Sequence, residues 1–332
     1  MLTGTFGKEF AFKSLMLRLA FVIPHFLLLT AQGQTLLTQE DRNYFTSKED
    51  TLAQYIRQSV LVKDDIDKIE LSTRFSALLN EALEHNNSWA WPFDSLKKTK
   101  MLIEAPDHDL RVITWDVPMQ DETHHYYGFI QHRDPVSKNW SVFKLEDHSD
   151  EIRNPENASL TADKWFGCYY HTVIETYYKE RRYYTLLGWD GNTHLTQKKI
   201  IDILWFNSAG DPEFGDAIFE VHKLVGKTDK EIVVWQKRVI FEFKQKAVMA
   251  LNFEPEQHLI VYDYLAPEES WEKGQYQYYV PSLELDAYKF KKGKWYYIKN
   301  AKAKNSKNKE DKYYNPPRDI SMPKNYKEPE QH

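Results

Sequence analysis

The chain has 332 residues, 42% of them hydrophobic and 28% charged, with a net charge of −5 and a single cysteine. One cysteine allows no internal disulfide, and a 39.5 kDa chain can bury a core without such a staple, so a disulfide scaffold is excluded. The acidic balance speaks against nucleic acid as a partner, because phosphates call for a basic surface.

The N-terminus reads as an export leader. Lys8, Lys13 and Arg18 precede the apolar run "LAFVIPHFLLLTA", residues 19–31. That run is shorter than the ~20 apolar residues a spanning helix needs. Ala31-Gln32-Gly33 then puts small side chains at the −3 and −1 positions of a signal-peptidase site, so residues 1–33 are expected to be a signal peptide removed before Gln34. Met16 would open an equally complete and shorter leader. The mature chain, expected in the periplasm or outside the cell, carries no transmembrane segment. Three of 44 basic and one of 49 acidic side chains fall in 1–33, which leaves 41 against 48.

Residues 34–95 form a helical segment. Ser47-Lys48-Glu49-Asp50 has the pattern of a capping box, followed by Leu52, Tyr55, Ile56 and Val60 at helical spacing. A second helix is predicted over 64–85, where Leu71, Phe75, Leu78, Leu79, Ala82 and Leu83 make one stripe behind an acidic first turn. "NNSWAWPFDSL" reads as a connector.

From 96 to 298 the period becomes two. "MLIEAP" and "LRVITWDV" flank a hairpin at Asp107-His108-Asp109, and residues 233–243 alternate as a single strand. "EPEQH" turns the chain into "LIVYDYL", and Lys291-Lys292-Gly293 joins "DAYKF" to "KWYYI". Strands joined by short turns pair antiparallel. The expected fold is therefore mainly β: an antiparallel sandwich- or barrel-like body with a small helical N-terminal segment (α+β). Residues 299–332 carry nine basic and five acidic side chains and four prolines; this basic, Pro-rich tail is expected to be disordered.

Few residues invite chemistry. "YYTLLGWDGNTHL" (183–195) ends in Trp189-Asp190-Gly191-Asn192, with His194 beyond. Asp-Gly is a favoured turn pair, since glycine tolerates positive φ and aspartate bonds its own backbone. The functional alternative presents Trp189, Asp190, Asn192 and His194 to a ligand such as a sugar; the turn alone accounts for the residues. "DETHHYYGFIQHRD" (121–134) holds three histidines. On a strand, however, adjacent His124 and His125 point to opposite faces, and His124 lies ~26 Å from His132 at ~3.3 Å per residue. One metal ion needs its ligands within ~2.1 Å, so no metal is expected. Asp202 and Asp263 interrupt apolar strands. A pair of converging carboxylates would suit glycoside hydrolysis, but ion pairing or a solvated face explains each as well. Cys168, in an apolar stretch, reads as a buried and inert thiol. The chain has no Gly-x-Ser-x-Gly elbow, phosphate-binding loop or dinucleotide fingerprint, so no cofactor is expected.

At "YYTLLGWDGN", "KKIIDILWF", "KRVIFEF" and "LIVYDYLAP" the chain resembles an uncharacterised family of exported bacterial proteins, over roughly residues 90–300. That family has no assigned function, so the resemblance implies export and a shared β body and transfers no catalytic residue. The expected role is a non-enzymatic binding or envelope-associated protein whose partner is a glycan, peptide or envelope protein. The alternatives are a hydrolase with a non-standard carboxylate site at Asp202, Asp263 or Asp190, and a structural envelope subunit.

Overall fold

A computed structural model describes residues 37–224 and 231–301. The expected leader, the expected cleavage site and the tail beyond Ala301 lie outside the described residues, and the folded unit begins at Leu37.

Two long helices open it, α1 (Gln39–Ser59) and α2 (Asp65–Glu84), followed by the short α3 (Asp94–Lys98). The first starts well before the expected box. Thr38 is its N-cap and forms a reciprocal capping box with Asp41, satisfying two of the free N–H groups of the first turn. Ser47 sits inside the helix, and Glu49 caps a different one: its carboxylate accepts from the Ser95 N–H at the start of α3 and from Trp91 Nε1 at 2.8 Å. Asp64 caps α2 as its acidic opening implied, accepting from Ile66 and Asp67.

Sixteen strands come next among the described residues. They are β1 (Leu102–Glu104), β2 (Leu110–Pro118), β3 (His124–Arg133), β4 (Trp140–Glu146), β5 (Leu160–Thr161), β6 (Tyr169–Tyr178), β7 (Arg181–Asp190) and β8 (Thr196–Phe206). The chain continues with β9 (Pro212–Phe214), β10 (Phe219–Leu224), β11 (Glu231–Gln236), β12 (Val239–Lys244), β13 (Leu251–Glu254), β14 (Leu259–Pro267), β15 (Tyr279–Lys291) and β16 (Lys294–Ile298). They make three sheets, ordered β1-β2-β3-β4, β5-β9-β8-β7-β6 with β12 also on β8, and β11-β10-β16-β15-β14-β13. These strands pair antiparallel except for a short parallel contact of β10 with β16.

Strand alternation shows how the layers stack. Ile113, Trp115 and Phe129 of the first sheet pack against Phe45, Phe75 and Leu79 of the helices. Their neighbours Val112, Tyr126 and Ile130 turn the other way, onto Tyr184, Leu186, Ile200 and Leu204 of the middle sheet. The opposite face of that sheet, with Leu187, Ile201 and Ile203, meets Ile260, Tyr288 and Trp295 of the outer sheet. The Trp295 indole also donates to Thr185 Oγ1 at 3.0 Å, pinning the two sheets together. The body is thus a sandwich of three sheets with a helical layer on one side, and among the described residues no sheet closes into a barrel. Being covered on both sides, the middle sheet carries the near-continuous apolar run "IIDILWF".

The segment 233–243, expected as one strand, is two. β11 belongs to the outer sheet and β12 to the middle one, with Lys237 and Arg238 between them donating their N–H groups to Glu156 O. The break follows from the Arg238 side chain, which is fully buried against Asp202. Cys168 is likewise buried, and burial pushes its thiol pKa well up, which keeps it protonated.

Candidate functional site

A large concavity opens at one edge of the seam between the first and middle sheets. It is a cleft of 1080 Å³, a size suited to a small ligand. Three hairpin connections build its mouth. Between β3 and β4, Asp134 folds the turn by accepting from Val136 N at 3.0 Å and Ser137 N at 2.6 Å. Between β6 and β7, Lys179 takes the left-handed conformation. Between β8 and β9, Asn207 Oδ1 accepts from Ala209 N at 2.9 Å and Asp211 N at 3.1 Å, while Gly210 supplies the positive φ that closes the turn.

The floor is aromatic. His132 and Phe206, brought together from different sheets, stack face to face with ring centroids 3.5 Å apart, and Tyr184 meets Phe206 edge-on. Burial depresses the His132 pKa to about 4, outweighing the pull of Asp109, Asp107 and Asp134, so the ring is neutral at physiological pH. Among the described residues its nitrogens have no hydrogen-bond partner, leaving one donor and one acceptor for a ligand. The rim mixes Lys179 and Arg181 with Asp134, Glu180 and Asp211, and adds Asn139, Ser141 and Asn207.

Behind the cleft wall lies a charged network. Arg182 pairs with Asp107 at 2.5 Å, Asp109 at 3.5 Å and Glu175 at 3.4 Å. Tyr184 donates to Asp107 at 2.6 Å, Tyr177 donates to Glu175, and Arg133 pairs with Asp109 at 2.8 Å. Burial would make Arg182 easier to deprotonate, but contact with Tyr184 and Asp107 reverses this and raises its pKa. Glu175 is raised, first by burial and then by the nearby Asp107 carboxylate. The network ties the first sheet to the middle one and fixes Tyr184 beneath the cleft. Its carboxylates do not line the cavity.

The residues singled out from sequence lie elsewhere. Trp189, Asp190, Asn192 and His194 belong to the far end of β7 and the turn after it; Asp190 is about 23 Å from Tyr183 at ~3.3 Å per strand residue. Asp190 is buried and fully engaged, accepting from Tyr126 Oη at 2.9 Å, Asn192 N at 2.8 Å and Lys198 Nζ at 3.2 Å. Trp189 Nε1 donates to Gln197 at 2.8 Å, Asn192 Nδ2 donates to Thr196 Oγ1 at 2.6 Å, and His194 is exposed. The turn works differently from the Asp-Gly expectation. Its left-handed residue is Asn192, and the loop runs over residues 191–195. Gly191 is required for space, because a Cβ there would overlap the His124 ring, which Asp116 holds at 3.0 Å. Gly191→Ala is expected to lower stability by about 1–3 kcal/mol through this overlap. A urea titration checks it, and an unchanged midpoint would show that the imidazole swings aside freely.

Asp202 and Asp263 are not brought together. Asp202, in the middle sheet, faces Arg238 at 2.8 Å and accepts from Tyr170 Oη at 3.1 Å. Asp263, in the outer sheet, accepts from the Ala250 N–H at 2.7 Å beside a β-bulge. The three histidines do share β3, with His124 paired to Asp116. No cluster of three or more metal-ligating side chains occurs among the described residues.

Sequence reading misses the cleft because its parts are three ordinary turns. "HRDP", "KERR" and "NSAGDP" announce turns individually. Their convergence depends on which sheets stack. Against protein-family models, curated proteins and solved structures the chain finds no match.

Proposed function

We propose that the protein is an exported, non-enzymatic binding protein of the bacterial envelope, and that it holds a neutral oligosaccharide in the cleft between the first and middle sheets. The supporting observation is the pairing of an aromatic floor, His132 on Phe206, with a rim of amide, hydroxyl and charged groups around an open 1080 Å³ space. Sugar rings present apolar faces for such a floor and hydroxyls for such a rim. A neutral ligand fits because the rim carries both signs, Lys179 and Arg181 against Asp134, Glu180 and Asp211, and Arg182 is already saturated by carboxylates. Export rests on the basic flank, apolar run and small-residue site of residues 1–33.

Catalysis has less support. Asp190, Asp202 and Asp263 are each consumed by local partners, and the carboxylates behind the cleft wall, Asp107, Asp109 and Glu175, are locked to Arg182. The test is titration of soluble oligosaccharides by calorimetry with the protein and with Phe206→Ala and Arg181→Ala. Phe206→Ala is expected to weaken binding at least tenfold and Arg181→Ala severalfold. N-terminal sequencing of material recovered outside the cytoplasm should begin at Gln34. Absence of saccharide binding, or binding indifferent to both changes, would remove the reading.

A further inference from the structure

A second cavity, of 680 Å³, lies between the helical layer and the first sheet and has a different chemistry. Its walls are Ile56, Val60, Leu71, Phe75, Met101 and Val117. Apart from the Tyr55 hydroxyl, the polar groups that reach it are already spent. Ser59 Oγ donates to Ile56 O at 2.8 Å, Trp115 Nε1 to Ser72 Oγ at 2.9 Å and Tyr169 Oη to Lys100 O at 2.9 Å. Lys68 Nζ is held by Pro118 O at 2.7 Å and Asp65 at 3.1 Å, and Asp116 is paired with His124. One charge is left over: the Lys63 ammonium, at the mouth, has no ion-pair partner among the described residues. The mouth opens beside the turn between α1 and α2, where Val60, Leu61 and Ile66 are 81%, 78% and 76% exposed.

We infer that this groove takes a long-chain carboxylate, its alkyl chain between the helices and the first sheet and its head on Lys63. Apolar walls with nearly all polar atoms satisfied suit an alkyl chain, since little there must be desolvated unpaired. A single free ammonium at the entrance complements a single negative charge. The exposed apolar turn gives the chain a sheltered entry, the sort of surface that marks an interaction site. This site is independent of the saccharide cleft.

The experiment is calorimetric titration of the purified protein with oleate and with oleyl alcohol, below their aggregation limits, alongside Lys63→Ala and Leu71→Trp. Circular dichroism confirms that each variant folds. Oleate is expected to bind at one site and more tightly than the alcohol. Lys63→Ala should weaken oleate about fivefold, the worth of one exposed ion pair, and leave the alcohol unchanged. Leu71→Trp, which fills the groove, should abolish both, and Phe206→Ala in the cleft should alter neither. Failure of oleate to bind, equal affinity for acid and alcohol, or full binding by folded Leu71→Trp would each overturn the assignment. So would sedimentation with phosphatidylglycerol vesicles that survives Leu71→Trp, which would place the activity on the exposed turn.

Discussion

Replacing Asp202 with Ala is expected to cost about 3–5 kcal/mol, because it strands a guanidinium in the core. Both partners of the Asp202–Arg238 pair have side chains with 0% exposure, and Nε lies 2.8 Å from Oδ2. Burial alone would make Arg238 easier to deprotonate; Asp202 reverses that and raises its pKa. Other contacts hold the two in place, although Arg238 Nε and Nη2 make no hydrogen bond among the described residues. Asp202 also accepts from Tyr170 Oη and from the Ile203 N–H at 2.8 Å, while Arg238 donates to Pro155 O at 2.6 Å and lies over the Phe166 ring. Removing the carboxylate leaves a charge that cannot reach water without pulling apart the middle sheet. The magnitude reflects that penalty rather than the worth of the pair. The double change Asp202→Leu with Arg238→Met should therefore recover most of the loss, since an apolar pair of similar volume makes no demand for solvation. Urea denaturation of the two variants and the parent decides it. A loss below about 1 kcal/mol for Asp202→Ala would mean that Arg238 finds another anion or water.

This pair also marks how far the sequence can be read. Alternation places Asp202 on a face with Ile200, Leu204 and Phe206, and all three do pack in the seam with the first sheet. The near-continuous apolar run "IIDILWF" carries the signal that both faces are covered. What it cannot name is the partner, because Arg238 arrives from the break between β11 and β12, and that break exists only once Arg238 is drawn inward. Local chemistry is legible where it is decided locally. Asp64 caps α2, and Lys292 and Gly293 take the positive φ that closes the last hairpin. It misleads where a better local solution lies outside the apolar pattern, as when Thr38 and Asp41 start α1 ahead of Ser47. The Trp189–Asp190 stretch looks like a site because it concentrates turn and aromatic residues. The structure uses Asp190 up internally. The cleft escapes notice because His132 and Phe206 become neighbours only when two sheets stack.

Lowering the pH from 6.5 to 4 is expected to remove about 2–4 kcal/mol of stability, chiefly through two histidines. Burial holds both His132 and His171 at about 4, with Lys199 and Lys100 pushing His171 further down. An unfolded histidine titrates near 6.5. Between these values the unfolded chain binds protons that the folded chain refuses, so stability falls as the solution is acidified and is whole again above 6.5. The full shifts would be worth over ~3 kcal/mol each. Both rings are only partly buried, and solvent screening reduces each to about 1–2 kcal/mol. His222 opposes the trend. Burial would lower it too, but Glu220 at 3.1 Å and Glu231 at 3.2 Å raise it, so it favours the folded chain below neutrality. It is a surface group, and its contribution is the smaller one. His132→Gln removes one of the two buried titrations while keeping a polar planar side chain over Phe206. Urea midpoints measured every half unit from pH 4 to 7.5 should then show about half the parental slope. A slope unchanged by that substitution would mean that the His132 ring takes up its proton in the folded cleft as readily as in water, and that the cleft is wetter than its stacked floor implies.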